Sequence, residues 1–347
     1  MREFEAPVSV RKDTKRYHSC LRPFVPILRN PHLLTIAGNY WPRYLDIERF
    51  PVQERRYCTE PGVHVLVHSQ FPENPAAHLI IVHGLEGSSA AGYACSLAQA
   101  ALESGYAVHR FNMRSCGGME ALCGNTLYHS GQTGDVLAVA RELRAAYNAP
   151  IYLCGFSLGG NVVLKLAGEL GGHASELISC VMAVSTPIDL AACVRRLRLK
   201  SNFLYANRFL KRLKQRIRVK ARLTPGLFDL GRLHSVRTIY DFDDLYTAPS
   251  FGFHGADHYY ETQSAQNFLD RIAVPALLVQ AQDDPLIPFE IYRHPAFSRN
   301  PNLTLLAPEH GGHLGFISKD KPRLWLDGVL IKWLQAARNK LETTSVL

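Results

Sequence analysis

Short runs of almost continuously apolar residues, separated by helix-forming stretches, constrain this chain more than any other feature. Residues 78–83 (HLIIVH) end in Gly84, a helical stretch covers 92–104, and a second run follows at 106–111. The alternation continues with a helix over 134–147, a run at 151–154, a helix over 160–170 and a run at 177–184. It resumes after a gap with runs at 276–280 and 303–306 and an amphipathic helix over 322–340. Strands buried on both faces lose the polar alternation of half-exposed ones, and helices between them make parallel crossovers, so the pattern predicts an α/β fold with a mostly parallel sheet flanked by helices. Upstream, residues 52–58 and 63–68, joined by Thr-Glu-Pro-Gly, read as a β-hairpin.

Three segments follow from this grammar. Residues 1–50 hold five prolines and several aromatics and read as an N-terminal extension packed across the domain formed by 51–347. Within that domain, the gap at about 187–267 is an insertion between two strands. Ligands of such sheets bind at the carboxyl edge, so the insertion is expected to be a helical lid.

The gap also explains the charge. The net charge of +9 suggests nucleic acid or an anionic membrane as partner, yet twelve Lys and Arg residues lie between Arg195 and Arg222 with no Asp or Glu among them. The rest of the chain is therefore slightly acidic. No nucleic-acid recognition motif accompanies the basic segment, and none is expected to act. Eight scattered cysteines lack metal-site spacing and read as reduced thiols. The first twenty residues lack the apolar core of a signal peptide, and no run of eighteen strongly apolar residues occurs, so the expectation is a cytoplasmic protein, with a peripheral place at the membrane open.

The chemistry centres on Gly155-Phe156-Ser157-Leu158-Gly159, set between an apolar run and a helix. A serine there stands on a sharp turn from strand to helix, its hydroxyl presented at the sheet edge. Such a nucleophile needs a base and the base an orienting acid, met along the chain in the order Ser, Asp or Glu, His. Asp283-Asp284-Pro285 follows the run at 276–280, and Glu309-His310-Gly311-Gly312-His313 follows the run at 303–306. Asp284 is preferred to Asp283 because it heads an Asp-x-x-Ile-Pro pattern. His313 is preferred to His310 because the Gly-Gly pair lets the loop turn an imidazole inward. The oxyanion donors are expected to be the backbone N–H groups of Leu158 and of Leu85, the latter in the loop after the run ending at His83. His83 and Glu86 read as loop-shaping residues, and Cys116 and Cys154 as buried thiols. This chemistry calls for no metal and no organic cofactor.

Taken together, HGLEGSS, RFNMRSCGG, LYHSGQTGD, GFSLGGN, TAPSFGF, AQDDP and EHGGHLGF resemble the α/β-hydrolase 4 family, the YheT-like group that includes the mammalian abhydrolase-domain proteins 1, 2 and 3. The resemblance runs from about Pro31 to the last helix. It implies the α/β-hydrolase fold and an esterase or lipase acting on short-chain esters or acylglycerols, with the charge-relay Ser, Asp and His on Ser157, Asp284 and His313. Thioesterase or acyltransferase chemistry would use the same residues. From another class, the chain could be a non-catalytic lipid-binding protein on a hydrolase scaffold, a reading the complete Ser-Asp-His set argues against.

In the basic segment, Leu199, Phe203, Ala206, Leu210, Leu213 and Ile217 recur every three or four residues and predict one apolar stripe on a helix. The plainer reading is a lid helix packed on the core with a solvated basic face. The sharper one is an interfacial helix docking on anionic lipid.

Overall fold

The computed structural model describes residues 22–124 and 126–344. They form an eight-stranded sheet in the order β1-β2-β4-β3-β5-β6-β7-β8, with strands β1 (Gln53–Glu60), β2 (Val63–Gln70), β3 (His78–Val82), β4 (Ala107–Phe111), β5 (Ile151–Phe156), β6 (Cys180–Val184), β7 (Ala276–Val279) and β8 (Leu303–Leu306). The hairpin β1–β2 is antiparallel and joins β4 antiparallel; the pairings from β4 through β3 to β8 are parallel.

Burial on both faces explains the continuous apolar runs. Along β5, Ile151 and Leu153 enter one core layer, while Tyr152, Cys154 and Phe156 enter the other. The first layer is closed by helices α3 (Gly134–Tyr147) and α4 (Leu158–Leu170), the second by α2 (Gly92–Glu103) and α8 (Trp325–Thr344). A fully buried Leu contributes about 1.5–3 kcal/mol by leaving water, so truncating Leu153 or Leu164 to Ala costs about 2–5 kcal/mol once the cavity left behind is included.

Residues 1–21 of the N-terminal extension lie outside the described part; the remainder is tied down. Val25 accepts a hydrogen bond from Lys319 N and Arg22 from the Trp325 indole (2.7 and 2.8 Å). Helix α1 (Pro31–Tyr40) follows, with Asn30 as N-cap accepting from His32 N and Leu33 N and proline at its first position.

Between β6 and β7 the chain leaves the sheet and builds α5 (Leu190–Leu197), α6 (Phe203–Leu223) and α7 (Ala256–Gln263). The long basic helix α6 departs from the single stripe that its periodicity predicts. Leu199 lies before the helix in extended backbone and is exposed, and Phe203 and Leu204 are 64% and 74% exposed. Only the second half of the stripe is covered: Leu213 and Ile217 pack with Leu127, Leu233, Val236, Phe242 and Tyr246 in a small core of their own. Nor is the basic face wholly solvated. Lys220 is buried and donates to the carbonyls of Glu120 and Gly124 (2.8 and 2.6 Å), which neutralise no charge but satisfy its donors.

Candidate active site

Ser157 stands between the end of β5 and the start of α4 with φ 51° and ψ −122°, a conformation that costs an L-residue about 1–3 kcal/mol. The surroundings hold it there. Its N–H donates to Val184 O on the neighbouring strand (2.8 Å), and a Cβ on Gly155 or Gly159 would run into the Gly159 and Val82 carbonyls respectively. The helix starts at Leu158, two residues earlier than its sequence pattern predicts, so the Leu158 N–H is in the first turn and has no acceptor within the helix.

The loops after β7 and β8 meet this turn. His313 Nε2 lies 3.1 Å from Ser157 Oγ, and His313 Nδ1 lies 2.9 Å from Asp284 Oδ2. A carboxylate only accepts, so the contact requires the proton on Nδ1 and leaves Nε2 free to accept from the serine hydroxyl. Asp284 is 2% exposed and is held by Leu286 N and Ile287 N on Oδ1 (2.8 and 3.1 Å) and by the Gln280 amide on Oδ2 (3.2 Å). The neighbouring Asp283 points elsewhere. It accepts from Gly312 N (2.9 Å) and contacts His310 Nδ1 (3.1 Å), bracing the histidine loop from outside.

Helix α1 braces that loop from the other side, a role that the proline-rich pattern of residues 1–50 conceals. Thr35 Oγ1 accepts from His313 N (2.9 Å) while donating to Pro31 O (2.6 Å). Gly312 has φ 54°, and a Cβ there would sit 2.6 Å from both Pro31 O and Thr35 Oγ1. The signal in the sequence is Asn30-Pro31, a helix start hidden among other prolines.

Leu85 lies in the loop between β3 and α2 and lines the same cavity as Ser157. Its flanking amides are engaged: Gly84 N donates to the Tyr93 hydroxyl and Glu86 N to the Tyr128 hydroxyl, each at 2.9 Å. The N–H groups of Leu85 and Leu158 meet no acceptor among the described residues. Burial holds His83 neutral, its pKa lowered to about 4; Nδ1 donates to Gly84 O (2.7 Å) and Nε2 accepts from Met113 N (3.1 Å), so it fixes the start of the loop.

Glu86 ties the same loop to the lid. It adopts φ 55°, and its carboxylate receives both Nε and Nη2 of Arg216 on α6 (3.0 and 2.9 Å) and the Tyr128 hydroxyl (3.0 Å). Arg212 Nη1 reaches the Glu86 carbonyl (3.0 Å). Both partners of the ion pair are buried, and the bidentate geometry is the strong form of such a contact.

Above the serine opens a cavity of about 890 Å³, counting its mouth, bounded by the sheet edge and the lid and lined by Leu190, Leu197, Phe209, Leu286 and Ile287 among other apolar groups. The thiols are poor nucleophiles: Cys116 and Cys154 are buried, and desolvation pushes Cys116 up to about 12 and Cys154 well above its ordinary value.

Comparison with known proteins agrees with this architecture. A family model for the alpha/beta hydrolase fold matches residues 77–320. The Escherichia coli K12 protein YheT, named provisionally as an esterase, is 35% identical over 90% of this chain and 92% of its own length. Saccharomyces cerevisiae monoacylglycerol lipase is 28% identical over 76% of this chain and 60% of its own. Among solved structures, Pyrococcus furiosus esterase Pf2001 superposes with a TM-score of 0.56 at 19% identity, covering 85% of this chain and 98% of that one, a likeness of fold.

Proposed function

Because the chain belongs to the α/β-hydrolase fold family, in the company of YheT and monoacylglycerol lipase, we propose that it is a carboxylic ester hydrolase of the esterase or lipase type with Ser157 as nucleophile. The observation that carries this reading is the line from Ser157 Oγ through both nitrogens of His313 to the buried Asp284 carboxylate. Ser157 Oγ attacks the ester carbonyl while His313 Nε2 takes its proton. Asp284 keeps the imidazole in the required tautomer and stabilises the imidazolium. The N–H groups of Leu85 and Leu158 receive the oxyanion, as donors fixed in place before the charge develops. His313 then returns the proton to the departing alcohol, and a water molecule, activated by the same base, clears the acyl enzyme.

The apolar cavity suits an acyl chain, which favours lipid-like esters, from short-chain esters to acylglycerols. Thioesterase and acyltransferase chemistry would employ the same groups. A panel of p-nitrophenyl esters of increasing chain length, together with acylglycerols, tests the reading: turnover is expected in wild type and a loss of at least about 10³-fold in Ser157→Ala. A wild type inert on every ester, with lipid binding retained, would instead favour a non-catalytic lipid-binding protein.

The lid bears on how substrate is reached. Exposed Leu199, Phe203 and Leu204 sit among exposed Arg195, Arg198, Lys200, Arg208 and Lys211 at the start of α6, the combination of an apolar wedge and cations that suits an anionic membrane surface. No helix among the described residues is long and apolar enough to cross a membrane.

A further inference from the structure

Of the two side chains of permanent or acidic charge that line the cavity above Ser157, Arg216 is paired with Glu86, and the other is used by no step in the hydrolysis of a simple ester. Asp243, on the lid segment, lines the same cavity as Ser157 and His313, together with Phe242, Tyr259 and Tyr260. Its carboxylate oxygens accept from the Tyr260 hydroxyl (2.6 Å) and from Thr247 Oγ1 (2.7 Å), two neutral donors. Among the described residues no cation pairs with it, and desolvation raises its pKa to about 6. A carboxylate taken from water without a counter-charge is costly, and each of its oxygens keeps acceptor capacity beyond the one bond it makes.

The backbone carries a second irregularity at the same point. Asp243–Thr247 forms a π-helical turn, an insertion that helices tolerate mainly where it serves a site. Asp243 and Thr247, the first and last residues of that turn, both line the cavity.

We propose that Asp243, supported by Tyr260 and Thr247, is a subsite for hydroxyl groups on the alcohol moiety of the substrate, so that the enzyme selects esters of polyols over esters of simple alcohols. The inference rests on the hydrolase reading and adds the class of alcohol to it. Leu190, Leu197, Leu286 and Ile287 offer apolar surface that suits the acyl chain, whereas the Asp243 carboxylate offers acceptors to a group that donates hydrogen bonds. A site that binds a hydroxyl rejects the analogue lacking it, because its own polar group is then left unpaired.

The test compares two esters with one acyl group, 1-decanoylglycerol and methyl decanoate, as kcat/KM for wild type, Asp243→Asn and Tyr260→Phe. Wild type is expected to prefer the glycerol ester. Asp243→Asn is expected to lower kcat/KM on that ester at least about tenfold while leaving the methyl ester within about threefold. Tyr260→Phe removes one of the two donors that hold the carboxylate and is expected to shift the preference toward the methyl ester by a smaller factor than Asp243→Asn, and an unchanged preference there would count against the subsite should Asp243→Asn fold poorly. Equal losses on both esters in Asp243→Asn would assign the carboxylate to lid structure and overturn the proposal. A wild type that cleaves the methyl ester without preferring glycerol would overturn it too, leaving the hydrolase reading intact. A wild type inert on both esters would remove that reading and this proposal with it.

Discussion

At the scale of single residues, the site is held by strain and by buried charge. Ser157 and Glu86 both occupy left-handed backbone that a side chain disfavours, and each is fixed by partners from distant parts of the chain, Ser157 by Val184 and Glu86 by Tyr128 and Arg216. The buried Glu86–Arg216 pair is expected to behave accordingly. Arg216→Met leaves an uncompensated carboxylate and costs about 3–5 kcal/mol in urea unfolding, whereas the double variant Glu86→Gln with Arg216→Met loses clearly less than the single one. Equal losses in both would show that the pair contributes only through packing. The side chains that meet at Ser157 were legible in the sequence, because position after a strand and order along the chain are local properties. The partners of Glu86 and His313 were not. Arg216 lies 130 residues from Glu86, and Thr35 lies 278 from His313, separations that only the tertiary fold brings to hydrogen-bond distance.

At the scale of elements, most of the buried strands were readable to within a residue or two, because a strand covered on both faces is continuously apolar, but the run at 177–184 begins three residues before β6 because Leu177 and Ile178 are apolar without belonging to the strand. Helix α6 was harder. Its periodicity announces an amphipathic helix but says nothing of which half finds a partner, and the structure covers Leu213 and Ile217 while leaving Phe203 and Leu204 bare. Those bare residues carry an expectation that belongs to the element. Wild-type protein should cosediment with vesicles of phosphatidylcholine containing about a third phosphatidylserine, and less with phosphatidylcholine alone. Replacing Arg198, Lys200, Arg208 and Lys211 by Gln should weaken this at least about tenfold, at roughly 1 kcal/mol per charge. Phe203→Ser with Leu204→Ser should weaken it as well, and Ser157→Ala should not. Equal binding by all the variants, or none by wild type, would return the helix to a solvated lid. Helix α1 shows the opposite lesson: its start signal is present at Asn30-Pro31, but five prolines in fifty residues suggest an irregular arm.

At the scale of the whole molecule, a net charge of +9 is a local property. The hydrolase body is slightly acidic, and the excess sits on the inserted segment between β6 and β7 that roofs the cavity. Fold and charge thereby occupy different parts of the chain: the sheet edge brings Ser157, His313 and Asp284 together, and the insertion walls the cavity above them and carries the basic residues. The division was legible as a gap in the strand-helix alternation; the shape of the cavity and the place of Asp243 within it depended on how the insertion folds back. The central claim is that Ser157 is an activated nucleophile, and labelling with a fluorophosphonate probe followed by peptide mapping measures this directly. One adduct per chain on Ser157, abolished in Ser157→Ala and strongly slowed in His313→Ala, is the expected result. An unlabelled wild type, or an adduct that persists in Ser157→Ala, would contradict it.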